Sequence, residues 1–143
     1  MADSLGVQQA EYRNVAAEGL SKLLYIDRIS SSRLLSRLIL LWYNPLTNEN
    51  AFLKNFLGQF LMAYAIRDAG HQQQIGDAFL PSLRAVMHAP RGSPLSDIDH
   101  SNLLSLFLQL THTKRLSRPP PHEVYSVHIH SYFYSYFCTT VQK

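Results

Sequence analysis

Five successive segments of the chain carry apolar residues at every third or fourth position, and this pattern restricts the fold more than any other feature. Such spacing places the apolar side chains on one face of a helix with 3.6 residues per turn. The first segment has them at Tyr12, Val15, Ala16, Leu20, Leu23 and Leu24. The third has an aromatic ladder at Phe52, Phe56, Phe60 and Tyr64, with leucines beside it. The pattern predicts an all-α fold whose core helices lie between residues 12 and 110.

The remaining three segments show the same spacing. The second has its apolar residues at Leu34, Leu35, Leu38, Leu41 and Trp42. The fourth has them at Ile75, Phe79, Leu83, Val86 and Met87, and the fifth at Leu103, Leu106, Phe107 and Leu110. We expect all of these side chains to pack in the core. The aromatic ladder and Trp42 could instead line a peptide-binding groove, but leucines accompany the ladder at helical spacing, which favours core packing.

Short polar stretches and prolines mark where the helices begin and end. Serines 30–32 can cap the second helix, residues 47–48 (Thr-Asn) the third, and Ser96, Asp97 or Asp99 the fifth. The side chains of these residues accept hydrogen bonds from free backbone N–H groups. Pro45 ends the second helix, since the residue before a proline avoids the α conformation. Pro81 either kinks the fourth helix or begins a new one, and we expect the kink.

The distance between equivalent helices indicates a repeat. The second and fourth helices begin near Ser31 and His71, about 40 residues apart, and the first and third are separated similarly. Paired antiparallel helices with a period of about 40–47 residues are typical of HEAT repeats, which bury their apolar faces only by stacking. Residues 1–116 are therefore predicted to be a HEAT-like α-solenoid fragment of about five antiparallel helices, part of a longer array. Residues 117–143, rich in proline and aromatic residues, are expected to form an irregular, disordered tail.

Composition indicates a folded chain, the single cysteine an intracellular one, and the lack of catalytic motifs a non-enzymatic one. Of the residues, 46% are hydrophobic and 16% are charged, with a formal net charge of +3. Cys138 stands alone, so no intrachain disulfide can form. We find no secretory signal, no apolar stretch long enough for a membrane span, and no motif of a phosphate-binding loop, a serine hydrolase or a zinc protease. No cofactor and no small-molecule substrate are expected.

Two arginines are the candidate nucleic-acid contacts. Arg33 and Arg37 are four residues apart and would share one side of the second helix. With Arg28, Lys22 and Lys54 they could form a basic surface that meets phosphates. The alternative is an ordinary solvated face beside a hydrophobic stripe.

The seven histidines do not form a convincing metal site. His122, His128, His130 and Cys138 have the residue types of a zinc site, but their spacing matches no compact ligand set. His71, His88, His100 and His112 fall at helix ends or in loops, where solvated or capping histidines are ordinary. We therefore predict no metal ligand and no catalytic residue.

Several stretches resemble one family closely. The most specific is RLILLWYNP at residues 37–45, preceded by residues 23–31 and 34–36. Residues 78–83, 89–90, 93–95 and 97–99 agree further. Over about residues 10–113 the chain resembles the C-terminal part of the helical array of the condensin subunit 3 (CAP-G) family.

The resemblance implies a HEAT-repeat subunit of a five-part complex that condenses mitotic chromosomes. In that family the partners are a kleisin subunit and two SMC ATPases, which hydrolyse ATP, and DNA is contacted through the complex. A nuclear and chromosomal location, with a cytoplasmic pool, follows from the same resemblance. Two alternatives come from other classes: a generic α-solenoid adaptor that binds only protein, and a small helical enzyme.

Overall fold

Residues 2–112, with side chains from residue 6 onward, are described by the computed structural model. They form five α-helices: α1 (Ala2–Tyr25), α2 (Ser32–Tyr43), α3 (Ala51–Arg67), α4 (Ala69–Met87) and α5 (His100–Leu110). Short 3₁₀ segments at Pro45–Thr47 and Pro94–Asp97 precede α3 and α5. No strand is present in this part of the chain, so the predicted all-α class is confirmed. The predicted tail, residues 117–143, lies outside the described residues.

The helices stack in two layers. α1 packs against α3 and α3 against α5, which forms one layer, while α2 packs against α4 in the other. Helices that follow one another along the chain, from α2 to α5, also pack together across the layers. Each helix pair thus rests on the next pair, which is the arrangement of a HEAT-like solenoid.

The core is centred on α3, which has neighbours in both layers. Leu53, Leu57, Phe60 and Tyr64 are fully buried, and Phe60 and Tyr64 are the two largest such side chains in the described core. Their rings lie 5.4 Å apart between centroids. The prediction that the aromatic ladder packs in the core is confirmed, with Phe52 half-buried at its outer end.

The predicted helix starts are right at α2 and α5 and wrong at α3. The Ser31 hydroxyl accepts from the Leu34 N–H at 3.2 Å, and the Asp99 carboxylate accepts from the Ser101 N–H at 2.7 Å. The cap of α3 is Asn50, not residues 47–48, because these belong to the intervening 3₁₀ segment and its end. Pro81 lies inside α4 and does not begin a new helix.

A reciprocal contact holds α2 against α3. The Trp42 indole N–H donates to the Lys54 carbonyl at 3.1 Å, and the Lys54 ammonium donates to the Trp42 carbonyl at 2.5 Å. The same ammonium lies 4.5 Å from the centre of the Trp42 ring, a cation–π distance. A Cβ on Gly58 would lie only 3.3 Å from the indole nitrogen, so glycine lets the two helices approach closely.

The packing face of α1 differs from the prediction. Its buried residues are Ala17, Ser21, Leu24 and Tyr25. Of the predicted stripe only Leu24 is buried, whereas Tyr12 and Val15 are 72% and 69% exposed. The predicted burial of Met87 is also wrong, since it faces solvent on the outer side of α4. Small side chains at positions 17 and 21 allow α1 to lie close to α3. Because these side chains are only weakly hydrophobic or polar, the hydrophobic pattern of the sequence does not indicate this face.

Candidate functional site

The two candidate arginines lie together on the outer side of α2. Arg33 and Arg37 are both exposed, one helical turn apart, as their spacing predicts. Neither forms an ion pair or a hydrogen bond with any residue in the range that the structure describes. Two guanidinium groups that point into solvent from a rigid helix can bind phosphate oxygens without first breaking an internal contact.

The two lysines of the predicted basic surface do not join these arginines. The Lys22 ammonium binds the Glu18 carboxylate at 2.6 Å, in the layer opposite to α2. Lys54 contacts Trp42 near the far end of α2, and burial lowers the pKa of its ammonium. The structure therefore leaves Arg33 and Arg37, with Arg28 exposed in the preceding turn, as the remaining members of that set.

A histidine joins the turns at one end of the stack, contrary to the expected solvated or capping role. His71 is 3% exposed. Its Nδ1 lies 2.6 Å from the Asp68 carboxylate and its Nε2 lies 2.8 Å from the Asp27 carboxylate. Asp27 also binds the Arg67 guanidinium at 3.1 Å. The cluster therefore links the turn after α1 with the turn between α3 and α4.

The backbone at Asp27 explains how its carboxylate reaches the histidine. Asp27 has a φ of 59°, the left-handed conformation that commonly ends a helix. The following Arg28 N–H returns to the Leu23 carbonyl at 2.9 Å. Aspartate tolerates this conformation better than most residues, and here the reversal directs its side chain toward α4.

Charge and burial act in opposite directions on the groups of this cluster. Partial burial alone would raise the pKa of Asp68, but the His71 backbone N–H and the nearby His71 and Arg67 charges hold it below its ordinary value. Tyr64 packs edge-on against the His71 ring at 4.3 Å. Burial, and then the charges of Asp27 and Asp68, raise the pKa of the Tyr64 hydroxyl. The arrangement stabilises the junction and presents no free nucleophile.

The sequence pattern could have suggested only part of this cluster. Asp68 stands three residues before His71, a spacing that brings side chains together at a helix start. Asp27 is 44 residues away along the chain, and no local signal connects the two.

The four tail residues considered and rejected as a zinc site, His122, His128, His130 and Cys138, lie outside the described residues. Within residues 2–112 no group of three histidine, cysteine or acidic side chains is arranged to hold a metal ion. In the same range, none of the helices has the length and apolar character needed to cross a bilayer.

Comparisons with known proteins give the fold a family context. The model of the family described as "Nuclear condensing complex subunits, C-term domain" matches residues 1–143. Condensin complex subunit 3 of Homo sapiens is 43% identical over 117 residues, which make up 82% of this chain and 12% of that protein. The Xenopus laevis protein of the same name is 44% identical over 108 residues, 76% of this chain and 10% of the relative.

A more distant relative agrees. Condensin complex subunit 3 of Schizosaccharomyces pombe is 29% identical over 94 residues, 66% of this chain and 11% of that protein. The family match reaches beyond residues 10–113, to which the sequence resemblance was confined, and includes the C-terminal residues. The chain spans about a tenth of the length of the curated relatives it matches.

Proposed function

The chain belongs to the condensin subunit 3 family, and we propose that it acts as a non-catalytic helical-repeat segment of a condensin complex. The observation that carries this proposal is the family match over residues 1–143 together with a two-layer helical stack. A stack of this kind offers extended, rigid surfaces to partners. The location proposed with it is the nucleus and the chromosome, with a cytoplasmic pool.

In the proposed role the segment helps to hold DNA and the kleisin subunit during chromosome condensation, while the SMC subunits hydrolyse ATP. Arg33 and Arg37 are the proposed phosphate contacts, because both guanidinium groups are exposed and have no partner among the described residues. Their contribution would be electrostatic and independent of DNA sequence.

The salt dependence of DNA binding tests the arginine contacts. Affinity of the full chain for a DNA duplex is measured at several salt concentrations, for wild type and for the double variant Arg33→Glu, Arg37→Glu. Each phosphate contact contributes about 0.9 to the slope of log affinity against log salt concentration, so the double variant should lower that slope by about 2. The control is Arg84→Glu, Arg91→Glu, which changes the charge equally at two exposed arginines outside α2.

Equal slopes for the two double variants would contradict the proposed contacts. All four substitutions lie on the surface, so each double variant should unfold within about 0.5 kcal/mol of wild type. The competing function is a protein-only α-solenoid adaptor. Wild-type chain that retains kleisin during purification but shows no salt-dependent DNA binding would favour that adaptor.

A further inference from the structure

A second apolar face runs along α1 on the side that faces away from the stack. It consists of Tyr12, Val15, Ala16, Gly19 and Leu23, and Ile26 continues it just past the helix end. Its large side chains are exposed: Tyr12 by 72%, Val15 by 69%, Leu23 by 40% and Ile26 by 50%. We call these six residues the free face of α1.

The free face lies opposite to the face that α1 buries. At about 100° per residue, the buried positions Ala17, Ser21 and Leu24 are centred roughly half a turn of the helix away from Tyr12, Val15 and Leu23. α1 therefore has two packing faces, although one layer neighbour, α3, is present. A helix that is apolar on two opposite sides is typical of an element packed between two others.

The layer itself indicates what covers the free face. α3 has α1 on one side and α5 on the other, so a helix inside this layer uses both sides. The free face of α1 is the position where the next helix of the same layer would lie. The matched residues make up only 12% and 10% of the human and Xenopus laevis relatives, so most of each relative lies outside the match and is available to cover this face.

We infer that the free face of α1 is the docking surface for a further helix pair of the condensin subunit 3 array, an inference that rests on the proposed function. The free face contains no charged residue. Along its border Glu18 and Lys22 are paired with each other at 2.6 Å, and Glu11 is exposed one turn before Val15. An uncharged apolar stripe fits an apolar helix face and offers nothing to a phosphate backbone.

A graft into a longer relative tests this inference. The matching stretch of human condensin complex subunit 3 is replaced by the corresponding residues of this chain, and the double variant Tyr12→Glu, Val15→Glu is compared with wild type. The control is Gln9→Glu, Arg13→Gln, which makes the same change in net charge at exposed positions of α1 outside the free face. The readouts are the rate of limited proteolysis within α1 and the thermal midpoint.

In the graft, the free-face variant should be cleaved within α1 about tenfold faster than wild type, the factor that corresponds to a loss of about 1.4 kcal/mol. The control should match wild type. In the chain alone, both variants should match wild type, because none of the described helices packs against the free face. Equal cleavage of the free-face variant and the control in the graft would overturn the inference.

Two further results separate the possible failures. In one result, the chain alone forms a homodimer, the free-face variant is monomeric, and the same variant has no effect in the graft. That result would assign the surface to a second copy and overturn the inference. In the other result, the free-face variant accelerates cleavage of the graft, but the unsubstituted graft fails to co-purify with the other condensin subunits. That result would support the docking surface and contradict the proposed function.

Discussion

Helices α1 and α3 belong to the same layer and differ mainly in how many sides are covered. α3 buries apolar residues over more than half of its circumference, because α1, α5 and the opposite layer all contact it. α1 buries Ala17, Ser21, Leu24 and Tyr25 and leaves Tyr12 and Val15 in solvent. The difference teaches that the most hydrophobic stripe of an array helix need not be the one that packs within a given segment.

The largest expected difference between the two helices is in stability. Phe60→Ala in α3 should lower the free energy of unfolding by about 3–5 kcal/mol, because it removes a fully buried ring and leaves a cavity. Tyr12→Ala in α1 should change it by less than about 0.5 kcal/mol, because that ring is 72% exposed. Urea unfolding of the two variants of the full chain measures both values. Similar losses of unfolding free energy at the two positions would contradict the difference in burial between α1 and α3.

An intermediate effect is expected where α1 is joined to α3 and α4. His71→Ala removes both carboxylate contacts of a buried side chain and should lower the free energy of unfolding by about 1–3 kcal/mol. His100→Ala, at an exposed position in the first turn of α5, is the control and should have almost no effect. Urea unfolding again provides the measurement, and equal stability of the two variants would show that the cluster does not hold the helices together.

The smallest effect is a dependence of stability on pH that arises from Asp68. Its pKa in the folded protein lies below the ordinary value of 3.8, so its carboxylate stabilises the fold above that value. The contribution is lost as the pH falls from about 4 through the lower, folded pKa. It should stay below about 1 kcal/mol, since the side chain is 50% exposed.

Asp68→Asn isolates this charge, because asparagine caps a helix about as well as aspartate. The variant should be slightly less stable than wild type at neutral pH, and the difference should shrink below about pH 4. Thermal midpoints across this range give the result. A difference that grew on acidification would contradict the depressed pKa.

The sequence was sufficient to predict the parts of the fold that depend on local patterns. The aromatic ladder of α3 follows from spacing, and the structure confirms it. The caps of α2 and α5, Ser31 and Asp99, lie within the short sets of capping residues that the sequence offered. The exposure of Arg33 and Arg37 follows from their helical register. These features require no knowledge of which helices meet.

The remaining features depend on tertiary contacts. The packing face of α1 contains Ala17 and Ser21, which are small but only weakly hydrophobic or polar. The more hydrophobic Tyr12 and Val15 therefore led to a predicted packing face on the other side of the helix. The His71 cluster joins residues 44 positions apart, and its Asp27 reaches the histidine through a left-handed backbone.

Hydrogen exchange in α1 tests most directly whether this chain is one part of a longer stack. Backbone amide exchange is followed in the chain alone and in the human graft, with α3 as the internal reference. We predict that in the chain alone the amides in the first half of α1 exchange faster than those of α3. In the graft they should exchange about tenfold or more slowly, because a covered helix opens locally less often. Equal exchange of α1 in the two contexts would contradict the account.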